Sequence, residues 1–496
     1  MLQTPFKVLR LYSPNMMKYC QKLLICLLCA ATGFVSATPN LDLPDLGDSG
    51  LATMTPAQEQ RTGSTVVRNL RRAGLIIDDP LLTDYLNQLG YTLLAHHEKD
   101  NQTQFKFFLV NDPGINAFAL PGGYIGINYG LIRETESESE LASVIAHEIA
   151  HVTQRHYARA YGSTGQSELP ILAAIIAAIV LGSQGSEIGQ AALASVAAGQ
   201  AQSQINFTRQ NEYEADRIGI SILAEAGYDP EQMASFFEKL DKESRLYGVN
   251  VPEFLRTHPV NENRIADARG RARLLPKSKI KDSLNYHLMR QRIVALASND
   301  KQRSEKQFEE ELGNKTGNEL TASRYGYVLN LMRQEKYTKA NQEVSILLKE
   351  HPHSIAFLLA KAEIEYSSKN TSAAFDTYKY ALKLYPGNPS ITYDYISTLL
   401  KAKKFQQADV LLNDFLKEPA NNPEFYKFLA ETKSALNQDA QSHEALAEYY
   451  YQQGQFHQAI DQINLALKSN SADFYTTSRL EARLAYIKEE IPRENN

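Results

Sequence analysis

Alanine recurs at Ala340, Ala374 and Ala408, each step 34 residues, and no other feature restricts the fold of this chain so tightly. Tyr337 and Phe405 lie two such steps apart, each three residues before its alanine. Pro352 and Pro386 keep the same interval, and Pro419 falls one residue short of the next step. The surrounding sequence is Tyr-rich, Gly-poor and helical in pattern. A small residue at fixed phase lets paired helices approach closely, and a proline ends each unit before the next begins. Single units of this kind cannot bury their apolar faces, so residues 325–482 are expected to stack as an α-solenoid, with a polar tail at 483–496. After Ala408 the next equivalent alanine is Ala459, 51 residues on, which predicts a phase slip and an extra helix.

A chain of 496 residues exceeds one compact core, so at least one more domain precedes the repeats. At the N-terminus Lys18 and Lys22 lead into LLICLLCAATGF (23–34), and VSA (35–37) follows. A basic start, a short apolar core and small residues at the junction predict an export signal, cleaved after Ala37. About twenty apolar residues are needed to span a bilayer, more than this run supplies. Cys20, Cys26 and Cys29 all lie in the signal, which leaves neither thiol chemistry nor a cysteine metal site for the mature chain. Cleavage removes four basic residues and no acid, taking the net charge from −5 to −9. So acidic a chain, without a basic run, excludes nucleic acid as partner.

TPNLDLPDLGDSG opens an extended leader over 38–52, and a catalytic domain is expected over 53–275, joined to the repeats by a helical linker at 276–324. Periodicity predicts helices at 55–73 and 80–95, and FKFFLV (105–110) a strand. INAFALPGGYIGINYGLI (115–132) reads as strands broken at Pro121-Gly122-Gly123. Thr135 and Glu138 have capping-box spacing before a helix whose apolar face holds Leu141, Val144, Ile145, Ile149 and Val152. Further on, ILAAIIAAIVL (171–181) and AALASVAAG (191–199) read as a buried hairpin, with peripheral membrane contact or a flap over the site as alternatives. The fold class expected is α+β, mostly α.

Within the helix that follows Thr135 stands HEIAH, residues 147–151. Side chains four apart project from one helical face, so His147 and His151 can reach a single ion. Glu148 lies about 100° round the helix, where it can act on a water without ligating the metal. A catalytic zinc site takes three protein ligands and leaves a fourth position for water. RQNEYEADRIGIS offers Glu212 as the third ligand, with Glu214 the competing candidate. Asp216, one turn beyond Glu212, can accept a hydrogen bond from a liganding imidazole and fix its tautomer. His156 is five residues beyond His151 and is expected on the helix surface. His96–His97 has no partner at ligand spacing and reads as structural.

HExxH followed by E-x-x-A-D on a second helix, with NAFALPGGYI before and HPVNENRI (258–265) after, resembles the HtpX-type zinc metallopeptidases. The 34-residue units resemble tetratricopeptide repeats. The resemblance implies a gluzincin-like peptidase domain followed by that solenoid, one Zn2+ per chain, and Glu148 as the base. It also implies a periplasmic enzyme acting on unfolded or misassembled outer-membrane proteins, with the repeats engaging the machinery that assembles β-barrels. Asn116 and Phe118, on the strand 116–120, would then hold an extended substrate by strand addition. His258 would donate to the transition-state oxyanion or fill the fourth metal position and hold the enzyme latent; a surface histidine is the plain alternative. Arg264 would orient substrate or brace that loop. A non-proteolytic chaperone or scaffold working through the repeats is the competing reading.

Overall fold

The structure, a computed structural model, describes residues 54–95, 103–159, 209–247, 252–276, 278, 280–469 and 474–495. The export signal, the leader, His96–His97 and the 171–199 hairpin lie outside these residues. Helix α1 (Pro56–Arg72) begins at a reciprocal cap, in which the Thr55 side chain accepts from the Gln58 amide and the Gln58 side chain from the Thr55 amide. Strand β1 (Ile76–Ile77) and helix α2 (Pro80–Ala95) follow, then strands β2 (Lys106–Val110), β3 (Ala117–Leu120) and β4 (Tyr124–Asn128). They form one sheet in the order β1-β2-β4-β3, parallel between β2 and β4 and antiparallel elsewhere. Val66, Val67 and Leu70 of α1 pack on Phe108, Val110, Phe118 and Leu120, while α2 covers Phe107, Leu109, Ile125 and Ile127 on the other face. Burial on both faces explains why these strands read as nearly continuous apolar runs. Gly122 adopts φ 77° between β3 and β4, and a Cβ there would stand 2.6 Å from the Gln60 Cα. Only glycine serves both the turn and that approach of α1.

The next segment departs from the sequence expectation. Residues after β4 form a short helix, α3 (Tyr129–Glu134), and not further strand. Thr135 closes α3, its hydroxyl donating to the Ile132 carbonyl at 3.1 Å, and so it is not free to start a helix. Ser137 caps the following helix α4 (Glu138–Thr153) instead, accepting from the Glu140 amide at 3.1 Å. Glu138 is buried at that N-terminus. Its carboxylate receives the Tyr85 hydroxyl at 3.0 Å and the Ser283 amide and hydroxyl at 2.8 Å each, joining three parts of the chain. Helices α5 (Arg209–Glu225), α6 (Glu231–Tyr247), α7 (Glu253–Thr257) and α8 (Glu262–Ala272) complete the first region.

Helices α9 (Leu284–Ala297) and α10 (Lys301–Asn314) occupy the expected linker. They are packed, not tethering: one hydrophobic cluster runs from Leu82 through Ile293 and Phe308 to Ile364. The solenoid comprises α11 (Gly317–Arg333), α12 (Tyr337–Glu350), α13 (Ile355–Ser367), α14 (Thr371–Leu384), α15 (Pro389–Lys401), α16 (Phe405–Phe415), α17 (Glu424–Ala435), α18 (Asp439–Gln452), α19 (Phe456–Lys468) and α20 (Phe474–Asn495). Its period is written in the turns. Glu335, Lys369, Lys403 and Asn437, 34 residues apart, all take left-handed φ between 57° and 67°. Each is followed by an amide that bonds back to the preceding helix, as Lys404 does to the Leu399 carbonyl at 2.8 Å. The phase therefore does not slip after Ala408. Ser442 takes the small-residue position 34 residues later, buried, with its hydroxyl donating to the Ala430 carbonyl at 2.9 Å. Ala459 belongs to α19, half a period on. Among the described residues no helix is long and apolar enough to cross a membrane.

Candidate metal centre

Helix α4 is buried along nearly its whole length, and it carries His147, Glu148 and His151 into the interior. Helix α5 crosses it where Gly219 meets His147; a Cβ on Gly219 would stand 3.1 Å from the His147 amide nitrogen. That close approach brings Glu212 and Asp216 to the two histidines. His147 Nε2 and His151 Nε2 are 3.0 Å apart, and each lies 3.6 Å from an oxygen of Glu212. The loop after α7 adds His258 Nδ1, 3.4 Å from His147 Nε2 and 3.1 Å from Glu212 Oε1. Donor atoms of all four residues fall within 4.8 Å of one another.

These separations fit a tetrahedral ion. Bonds of about 2.0–2.1 Å place tetrahedral donors roughly 3.3 Å apart, close to the 3.0 to 3.6 Å seen here. Three imidazole nitrogens and a carboxylate suit a borderline first-row dication. Of the alternatives for His258, the structure excludes the surface: the residue is 2% exposed and lies at the fourth corner. Phe254 stacks on its ring at 4.8 Å, and the Phe254 amide donates to the Ile115 carbonyl just before β3. The His258 loop is thereby tied to the approach of the edge strand.

Glu148 has the complementary geometry. It is fully buried, neither carboxylate oxygen has a hydrogen-bond partner, and Oε1 lies 3.5 Å from His258 Nε2. Burial pushes its carboxyl above the ordinary range, opposed by the charges of His258 and His147. A buried carboxylate left unpartnered is costly unless chemistry uses it. Burial works against the charge on Glu212 as well, yet the neighbouring histidines outweigh it and hold Glu212 well below its usual range. His151 is driven well below 6.5 by burial and then by His147.

Behind the donors, Asp216 Oδ1 stands 3.0 Å from His147 Nδ1. Arg264 secures this carboxylate through Nε and Nη2, each at 2.7 Å, while Nη1 reaches Glu212 Oε2 and the Pro259 carbonyl at 2.8 Å. Arg264 is 1% exposed, so it braces the site and presents no face to substrate. Of the two expected substrate contacts, Phe118 buries its ring against Phe108 on the α1 side, and Asn116 is likewise buried. What this strand offers is backbone: among the described residues β3 pairs with β4 on one edge and with no strand on the other.

His156 corrects the sequence expectation. Helix α4 stops at Thr153, and Arg155 turns left-handed at φ 51°, held by hydrogen bonds to Met54 O and Glu59. The chain therefore folds back under the site, and the helical-wheel argument no longer applies. His156 is buried, with Nδ1 2.7 Å from His151 Nδ1 and Nε2 3.2 Å from Glu214 Oε2, which Arg159 holds at 2.7 Å. With His151 Nε2 turned to the donors, Nδ1–H donates to His156 Nδ1, and His156 Nε2–H donates to Glu214. Glu214 thus serves this chain of bonds, not the ion. His156→Ala is expected to lower metal affinity by about 10- to 100-fold, measured by competition with a chromogenic chelator; unchanged affinity would show that His151 needs no such support.

Fold and site together define a metal-dependent endopeptidase that carries a helical repeat domain. Residues 80–272 match the model of Peptidase family M48, and residues 328–389 and 365–432 match tetratricopeptide repeat models. The chain is 34% identical over 447 residues to the "Beta-barrel assembly-enhancing protease" of Escherichia coli (strain K12), covering 90% of this chain and 91% of that one. It is 36% identical over 471 residues to the "Putative beta-barrel assembly-enhancing protease" of Vibrio cholerae, covering 93% and 96%. Similarity to "Mitochondrial metalloendopeptidase OMA1" of Arabidopsis thaliana is 34% over 160 residues, covering 32% and 30%. The chain belongs to peptidase family M48.

Proposed function

We propose that this chain is a zinc-dependent endopeptidase of the periplasm that cleaves unfolded or misassembled outer-membrane proteins and engages the β-barrel assembly machinery through its repeats. The observation that carries the catalytic part is the unpartnered, buried Glu148 carboxylate beside a converging donor set. His147, His151 and Glu212 would hold the ion, which supplies Lewis acidity to the scissile carbonyl and acidifies the attacking water. Glu148 takes the proton from that water and delivers it to the leaving amine. Asp216 keeps His147 in the ligating tautomer, and Arg264 keeps Asp216 in place. Asn116 and Phe118 contribute through the backbone of the β3 edge, to which an extended segment adds as a strand. Such binding favours unfolded chains, in keeping with the names of the two bacterial relatives.

A latent resting state is favoured by one observation: His258 Nδ1 sits where the fourth position of the ion would be. In that state the molecule behaves as a chaperone or scaffold until the loop after α7 moves. Wild type and His258→Ala, both metal-loaded, are to be incubated with an unfolded outer-membrane barrel protein. Cleavage that a chelator abolishes, and that is several-fold faster in the variant, is the expected result. Slower cleavage by the variant would assign His258 to the oxyanion; no cleavage by either would leave the scaffold reading.

A further inference from the structure

A cavity of about 450 Å³ lies on the opposite side of the sheet from the β3 edge, between α1, β2 and the repeats. Tyr124 forms part of its wall from the sheet, and Phe415, Phe425 and Tyr451 close it from the solenoid. Its acids are already engaged: Asp84 accepts the Ser390 hydroxyl at 2.6 Å, and Asp78 pairs with Arg71 at 3.2 Å. Its cations are not. Lys106 makes no ion pair or hydrogen bond among the described residues, and its ammonium stands 5.5 Å from the Tyr124 ring centre. The Arg71 Nε–H is buried and also has no acceptor. Burial, and then the charge of Arg71, hold Lys106 below the ordinary lysine range. A cation kept in a wall without its counter-charge is stabilised by an incoming anion.

The backbone in the same wall is also incomplete. Strand β1 covers only Leu109 and Val110 of β2, leaving Lys106, Phe107 and Phe108 with no strand on that side. The Asn111 amide donates to the Leu75 carbonyl across β1. Strand alternation then aims the N–H and C=O of Phe107 at the same, open side. A strand edge calls for peptide, and the neighbouring cations call for a carboxylate on it.

We propose that this cavity is a second peptide site, separate from the active site, which takes an extended segment of a partner protein bearing an Asp or Glu side chain. The carboxylate meets Lys106 and Arg71, the peptide backbone pairs with Phe107, and the repeats close over the apolar residues. The site would let the enzyme hold an acidic stretch of a client independently of cleavage.

The test is fluorescence anisotropy on the full chain carrying Glu148→Gln, so that no probe is cut. The probe is a dye-labelled, end-blocked heptapeptide of alternating valine and threonine with one central glutamate. Binding about tenfold tighter than the glutamine counterpart is expected, with that preference lost in Lys106→Met and kept in Lys106→Arg. N-methylation of the valine beside the glutamate is expected to weaken binding. Equal affinity of the two peptides, or a preference that survives Lys106→Met, would overturn the proposal. So would absence of peptide binding combined with Lys106-dependent binding of inorganic phosphate or phosphatidylglycerol vesicles.

Discussion

Replacing Glu148 with glutamine is expected to reduce kcat on an unstructured substrate by about 10²- to 10⁴-fold, the range for loss of a general base. The substitution keeps size and shape and removes only the capacity to accept a proton. Glu148 is not one of the four donors that converge, so metal content and partner binding are expected to stay at wild-type levels. Exchanging a buried, unpartnered carboxylate for a neutral amide also relieves its desolvation, so stability is expected to hold or rise. Turnover within threefold of wild type in a metal-loaded preparation would remove Glu148 from the mechanism.

Arg264→Ala carries the largest expected effect on stability. The guanidinium is buried and satisfies Asp216 at two contacts and Glu212 at a third. Its loss leaves two buried carboxylates facing each other without a cation, a change of about 3–5 kcal/mol in comparable cases. Denaturant unfolding followed through the peptidase region would register that loss, together with weakened metal affinity as His147 loses its fixed partner. Lysine is not expected to rescue, because a single ammonium cannot reproduce the forked pairing with Asp216. A variant as stable as wild type would show that the bracing is dispensable.

Much of this was legible because helical spacing is a rigid ruler. His147 and His151 on α4, and Glu212 and Asp216 on α5, are i,i+4 pairs whose common face does not depend on the rest of the fold. The repeats were legible for the same reason, each alanine marking the crossing of two helices. What escaped reading depends on where helices stop and how tightly they cross. His156 reaches His151 because α4 ends at Thr153 and Arg155 reverses the chain. The signal was faint: one left-handed, non-glycine turn. Gly219 resembled any glycine in a helix until α5 was seen against His147. Ser442 hid the fourth unit because serine, when its hydroxyl has a helical carbonyl to bond, fills the same space as alanine. Lys106 gave no sign at all, since only the docking of the solenoid turns that end of β2 into a cavity wall.

The central claim is that side chains from two separate helices, α4 and α5, hold one divalent ion. Metal analysis of the purified, folded protein, with X-ray absorption at the metal edge and a Glu212→Gln variant alongside, tests it most directly. One zinc per chain is expected, bound by nitrogen and oxygen at about 2.0–2.1 Å, with the variant losing most of its metal. A well-folded wild type that retains no divalent ion after loading, or a Glu212→Gln protein that binds it undiminished, would contradict the account.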